Sequence, residues 1–198
     1  MKALTLYFLR HGETDWNAEG RLQGQKDIVL NALGRRQATR AGQKLRKIFQ
    51  AGRIDAAALL WQVSPLSRTR DTMTLARAQL GLPAEGVRLE DRLKEFTFGR
   101  WEGKTWPEVM AEDPEGAAAR NRDKWNFCPP GGESYAHLAE RLRPWLAEQQ
   151  APTVVVSHGG VARALMHLIG GLPIERAPTA DIWQGRVLVF STARFDWV

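Results

Sequence analysis

The sequence predicts one α/β domain, a three-layer α/β/α arrangement around a mostly parallel central sheet. Two observations carry this reading. Short, nearly continuous apolar runs, Leu6-Tyr7-Phe8-Leu9 and Thr153-Val154-Val155-Val156-Ser157, have the character of strands buried on both faces. Segments of helical spacing lie between the strand candidates, and strands alternating with helices build a largely parallel sheet. The 198 residues fit a single domain, 1–198, able to bury roughly 70% of the unfolded surface without a staple.

The first strand is expected over 3–9, followed by Arg10-His11-Gly12, where the glycine lets the chain turn. Residues 13–30 read as loop. Asn31 is a fitting N-cap for a helix over 32–49, with Leu33, Ala38, Ala41, Leu45 and Ile48 on one face and Arg35, Arg36, Arg40, Lys44 and Lys47 on much of the rest. A second strand is expected over 56–63. Ser64-Pro65 then reads as a helix start, with Ser as N-cap and Pro at the first helical position, for a helix over 66–80. A short third strand follows at 87–89. Residues 93–103, rich in aromatics and glycine, read as an ordered loop.

The stretch 104–132 is irregular, with short helices expected at 106–112 and 114–124, and reads as an insert or lid on the main domain. A helix is expected over 134–149, kinked at Pro144, and another over 160–168, closed by Gly170-Gly171. Runs at 180–183 and 186–191, joined by Gln184-Gly185, resemble a terminal strand pair.

The bulk numbers narrow the function classes. Apolar residues at 43% and charged residues at 25% are globular values, and no apolar run reaches the length of a membrane span. Lys2 and the apolar run after it imitate a short signal peptide, but Arg10 ends the run and no small-residue cleavage site follows. The single cysteine, Cys128, excludes an internal disulfide, so a cytoplasmic location is expected. The net charge of +6 invites a nucleic-acid reading, but the cations are dispersed, without a run of five like charges. A few arginines lining a pocket for an anionic small molecule fit the pattern better.

The chemistry concentrates at two strand ends. The first strand delivers Arg10-His11-Gly12, and the strand at 153–157 delivers His158-Gly159-Gly160. Ligands of open α/β sheets bind at that carboxyl edge. Only four histidines exist, and the other two, His137 and His167, fall inside expected helices. A metal site at His11 and His158, completed by Glu13 or Asp15, is disfavoured by the adjacent Arg10 cation. An arginine beside a histidine suits a phosphoryl group instead. Arg68, one turn into a helix that begins after a strand, adds a second guanidinium, and Asn17 adds an amide donor. Phosphoryl transfer at such a site needs a nucleophile, for which His11 qualifies, and an acid for the leaving group. Glu95 is the first candidate for the acid, with Glu102 and Glu13 as rivals.

Leu9-Arg10-His11-Gly12-Glu13-Thr14 with Trp16-Asn17 resembles the signature of the histidine phosphatase superfamily, in its phosphoglycerate mutase-like branch. Arg21-Leu22-Gln23-Gly24, Asn31-Ala32-Leu33-Gly34, Ser64-Pro65-Leu66-Ser67-Arg68-Thr69, Leu93-Lys94-Glu95 with Gly99-Arg100-Trp101-Glu102-Gly103, Gly131-Gly132-Glu133-Ser134 and Ser157-His158-Gly159-Gly160 continue it in the family's order over about 4–165. The resemblance implies that His11 becomes phosphohistidine. It implies that Arg10, Arg68 and His158 hold the phosphoryl group, that Asn17, Gln23 and Gly159 contact phosphate or substrate, and that Glu95 is the proton donor and then the base. No metal or organic cofactor is implied, and a homodimer is common in the wider family.

Mutases of this branch carry Arg and Tyr after the acid-loop Glu, where this chain has Phe96-Thr97-Phe98, and usually Asn where Gly160 stands. The expected function is therefore a phosphatase acting on a small phosphomonoester. A cofactor-dependent phosphoglycerate mutase is the alternative, and a non-catalytic phosphate- or nucleic-acid-binding module a further one. The substrate choice is assigned to a pocket rim of Trp16, Gln23 and the insert with Trp106 and Trp125.

Overall fold

The computed structural model describes residues 5–198. The first strand, β1, runs Thr5–Arg10, and the part of the expected strand at residues 3 and 4 lies outside the described residues. Its side chains alternate between the two faces of the sheet, as a period of two demands. Leu6 and Phe8 enter a core with Leu138, Leu142, Trp145 and Leu165. Tyr7 and Leu9 enter the opposite core with Leu45, Phe49, Met73 and Val63. After β1 the stretch expected as loop holds a short helix, α1 (Asp15–Ala18). The division of β1 gives the three layers: α6 (Tyr135–Ala147) and α7 (Gly159–Leu168) cover one face, and α2 (Ala32–Gly52) and α3 (Ser67–Ala78) the other.

The sheet has six strands in the order β3 (Arg88–Leu89), β2 (Leu60–Val63), β4 (Thr153–Ser157), β1, β5 (Leu188–Ser191), β6 (Arg194–Trp197). The first four are parallel, β5 runs against β1, and β6 runs against β5. Strand β4 lies between β2 and β1, with Val156 opposite both Val63 and Leu9. Three parallel strands thus end together, and the residues that follow them are His11, Ser64 and His158. The backbone ties them, with His11 N–H donating to Ser157 O at 2.9 Å and Ser64 N–H to Val156 O at 3.1 Å.

Several expectations change. The segment 56–63 begins with a 3-10 turn, Ala56–Ala58, capped by Asp55, so the strand starts only at Leu60. Ser64 does not cap α3, whose N-cap is Leu66 and lacks a side-chain bond. Its first turn is served instead by Asp27, which accepts from Ser67 N–H and Oγ. Leu33, placed on the apolar face of α2, is exposed. The run at 180–183 is not a strand: Ala180 and Ile182 turn their carbonyls to Arg163 and Arg10 rather than to a ladder. The partner of β5 is the downstream β6, joined through Thr192-Ala193, with Ala193 at φ 61° supplying the left-handed turn residue.

Gly12 serves close approach rather than turning. A Cβ there would lie 2.1 Å from Gly34 O, and one on Gly34 would lie 2.0 Å from Glu13 O. The first turn of α2, capped by Asn31 Oδ1 accepting from Gly34 N–H, therefore lies backbone to backbone against the His11 loop. Gly34→Ala is expected to cost roughly 1–3 kcal/mol, because neither backbone can yield. Urea unfolding at fixed pH checks this, and an unchanged midpoint would show that the loop gives way.

The insert contains α4 (Trp106–Glu112) and α5 (Pro114–Arg122), which pack Val109 and Ala117 onto Trp101. Among the described residues, no helix is long and apolar enough to cross a membrane.

Candidate active site

His11 is 3% exposed, and its Nδ1 lies 2.7 Å from Gly12 O. A carbonyl only accepts, so Nδ1 carries the proton and the lone pair of the neutral ring resides on Nε2. Burial, with Arg68 and Arg10 nearby, holds the imidazolium well below the usual histidine range. His11 is therefore neutral at pH 7. His158 stands beside it, ring centroids 5.2 Å apart, and burial, then Arg68, holds it well below that range too. Its Nε2 is 2.8 Å from Ser64 Oγ, while its buried Nδ1 has no partner among the described residues. A serine hydroxyl that donates to Nε2 places the proton on Nδ1, the nitrogen free to donate in turn.

The arginines are aimed by carbonyls, not by carboxylates. Arg10 Nη1 donates to Ile182 O at 2.9 Å. Arg68, 1% exposed, donates from Nη1 to Lys26 O and from Nη2 to Gly24 O at 2.7 and 2.8 Å. The Nε of each is buried and, among the described residues, unpartnered. Burial lowers both guanidiniums to about 10, helped at Arg10 by the like charge of Arg163. Both stay cationic at neutral pH, and among the described residues neither is in an ion pair. Unpaired buried donors of this kind suit an anion with several acceptor oxygens.

Glu95 comes from the loop before α4. Its Oε2 accepts from Gly160 N–H at 2.9 Å and its Oε1 from Phe96 N–H at 3.2 Å. Burial pushes its carboxyl above the ordinary value, against those bonds and the nearby Arg68. It can hold a proton and release it inside the pocket. The two rival acids are occupied elsewhere. Glu102 Oε1 accepts from Thr97 Oγ1, Gln25 N–H and Phe98 N–H, and Glu13 Oε1 from Asn31 Nδ2. A Cβ on Gly160 would sit 2.2 Å from Glu95 Oε1 and 2.5 Å from the Phe96 ring, so this glycine admits the carboxyl.

Arg10, His11, Asn17, Gln23, Arg68, Glu95 and Gly159 line one cavity of about 150 Å³, while His158 stands beside His11 outside that lining. Asn17 Oδ1 accepts from Thr14 N–H and from Gln184 Nε2, and Gln23 Oε1 is buried without a partner. Larger clefts of about 440 and 400 Å³, around Trp125 and around Trp101, hold none of these groups. The expected tryptophan rim is not found. Trp125 is buried between Tyr135 and His167, and Trp106 packs on Trp101. The cavity wall also contains Arg21, Leu22, Phe98 and Arg163. Arg163 was legible in principle, since it lies four residues after Gly159 on α7 and shares its face. Glu133 accepts from Thr97 N–H and Arg141 Nη2, tying the acid loop to α6, while Ser134 caps that helix.

Two histidines and two free guanidiniums at the carboxyl edge of a parallel sheet, with a buried carboxyl across a small cavity, define a phosphoryl-transfer enzyme. The family model of the histidine phosphatase superfamily, branch 1, matches residues 6–198, and the chain belongs to this superfamily. Within it the chain is a phosphatase, a phosphoric monoester hydrolase. It is 37% identical over 191 residues to a glucosyl-3-phosphoglycerate phosphatase of Mycobacterium tuberculosis, an alignment covering 90% of this chain and 80% of the relative. It is 34% identical to a probable phosphoglycerate mutase of Erwinia tasmaniensis, covering 86% and 76%. The native structure of a mycobacterial glucosyl-3-phosphoglycerate phosphatase superposes with a TM-score of 0.79 at 32% identity, covering 99% of this chain and 97% of the other.

Proposed function

We propose that the chain hydrolyses a small phosphomonoester of the phosphosugar type through a phosphohistidine on His11. The observation that carries this is the neutral, oriented imidazole: Nδ1–H is pinned to Gly12 O, leaving Nε2 to attack. Nε2 forms a bond to phosphorus as the ester P–O bond breaks. The Arg10 and Arg68 cations neutralise the equatorial oxygens, and the neutral His158 ring donates to one from Nδ1. Glu95 gives its proton to the departing alkoxide. Water then attacks phosphorus, the P–N bond breaks, Glu95 takes the water proton, and phosphate leaves with the enzyme restored.

Brief incubation with a labelled phosphomonoester, followed by alkaline quench, is expected to trap acid-labile phosphate on His11. Label on another residue, or turnover without any adduct, would overturn the assignment. The names of the similar mycobacterial enzymes make glucosyl-3-phosphoglycerate the first compound to test. The mutase-named relative makes 3-phosphoglycerate with its bisphosphate the second, and isomerisation without free phosphate would reverse the preference for water. The exposed free thiol of Cys128 supports a reducing, cytoplasmic setting.

Ser64 acts through His158 in this scheme. Ser64→Ala leaves His158 Nε2 without its partner, and kcat/KM on p-nitrophenyl phosphate is expected to fall about 5- to 20-fold. An unchanged melting temperature with that loss would separate positioning from folding, and a loss under about twofold would remove Ser64 from the mechanism.

A further inference from the structure

We propose that the outward face of α2 is a docking surface for single-stranded nucleic acid, with a row of cations against the phosphates and the neighbouring Trp183 as a stacking platform for a base. None of these residues lines the phosphatase cavity, so the surface gives the chain a second binding function.

α2 holds six cations, Arg35, Arg36, Arg40, Lys44, Arg46 and Lys47, and no Asp or Glu. Six is also the net charge of the whole chain, so the rest of the chain is neutral in sum. No run of like charge marks this in the sequence, because apolar and amide residues separate the cations. The helical repeat brings Arg36, Arg40, Lys44 and Lys47 into one row, about 16 Å long at 1.5 Å per residue. Arg35 touches Asp71 at 3.8 Å, and none of the other five is in an ion pair among the described residues. Burial, then the like charges of Arg40, Arg186 and Lys47, holds the Lys44 ammonium below its ordinary value, as in a cluster short of counter-charge. Two clefts of about 320 and 300 Å³ follow the row and meet at Arg40 and Gln43, with no acidic side chain in either lining.

A second observation selects the kind of anion. Gly185 packs on α2, where a Cβ on it would lie 3.4 Å from Gln37 O, so the turn at 183–186 flanks the row. Trp183 in that turn is 42% exposed. Its ring meets Trp197 at 5.0 Å, and the Arg186 guanidinium lies over it at 4.7 Å, so the indole is held in place while open to solvent. A row of cations with a fixed aromatic beside it matches an unpaired strand, whose phosphates meet the charges and whose unstacked bases find a ring. A duplex keeps its bases stacked on one another and leaves Trp183 unused. An anionic bilayer meets the cations but has no base to stack.

The test measures fluorescence anisotropy of a labelled oligouridylate of about 16 nucleotides, the upper end of a single site, over a series of salt concentrations. A duplex of the same length and phosphatidylglycerol vesicles serve as comparisons. The wild-type chain is expected to bind the single strand more tightly than either, with log K falling against log salt at a slope of about −3, as roughly four phosphate contacts require. Arg40→Gln combined with Lys44→Gln is expected to reduce that slope to about −1.4, with the melting temperature and p-nitrophenyl phosphate turnover unchanged. Trp183→Ala is expected to weaken binding roughly 5- to 150-fold at the original slope. A slope unmoved by the glutamine pair, or an affinity unmoved in Trp183→Ala, overturns the proposal. Equal or tighter binding of the duplex or of the vesicles also overturns it and assigns the row to that partner instead.

Discussion

His11→Ala is expected to lower phosphomonoester hydrolysis on the order of 10⁴-fold or more, because the variant has no group that can form the covalent intermediate. The substitution should leave the fold intact. The imidazole makes one side-chain hydrogen bond, to the carbonyl of the next residue, and its removal relieves a buried ring that must stay uncharged among cations. Substrate should still bind, since the unpartnered Nε atoms of Arg10 and Arg68 and the Nδ1 of His158 do not depend on His11. The decisive combination is therefore lost turnover with retained binding of inorganic phosphate, measured by calorimetry, and an unchanged melting temperature. Full activity on p-nitrophenyl phosphate would show that His11 is not the nucleophile.

Glu95→Gln is expected to separate the two half-reactions. An alkyl phosphate needs a proton at its leaving oxygen, so its hydrolysis should fall roughly 10²- to 10⁴-fold. A nitrophenyl ester leaves without that help. It should still phosphorylate His11 and release a burst of nitrophenol equal to the enzyme present, followed by slow turnover, because the variant also lacks the base that activates water. The pH dependence follows from burial of the same carboxyl. A raised value keeps Glu95 protonated at higher pH than an ordinary glutamic acid, and kcat/KM for an alkyl ester should decline as pH rises through that value. On the acid side, His11 stays neutral well below its usual 6.5 and contributes no limb near that pH, so a decline there belongs to protonation of the substrate's phosphoryl dianion. The Gln variant should lose the alkaline decline. A burst of the same size for alkyl esters would show that Glu95 is not the acid.

The parallel sheet and the paired histidines were legible because each depends on neighbours in sequence. A continuous apolar run followed by His-Gly states both the burial of a strand and what stands at its end, and β4 begins and ends as its residues predict. Glu95 was legible only as one carboxyl of three. What sets it apart in the folded chain is its place in the cavity wall, which neither Glu102 nor Glu13 shares. Ser64 misled for a similar reason. Ser-Pro before an apolar segment has the same local form whether the hydroxyl caps a helix or not, and its partner His158 is 94 residues away. The run at 180–183 has the side chains of a strand, but its fate was decided by guanidiniums from β1 and α7 that claim its carbonyls.

That short segment has a consequence for how such enzymes diverge. Arg10 and Arg163 are both aimed by main-chain oxygens, of Ile182 and Ala180, and a peptide oxygen is supplied by any amino acid. The direction of each cation is thus set by the path of the chain rather than by the identity of the residues along it. A one-residue shift there would re-aim both charges while every motif letter stayed the same. Two proteins with identical signatures could in this way prefer different esters, and the difference would be invisible to any comparison of side chains.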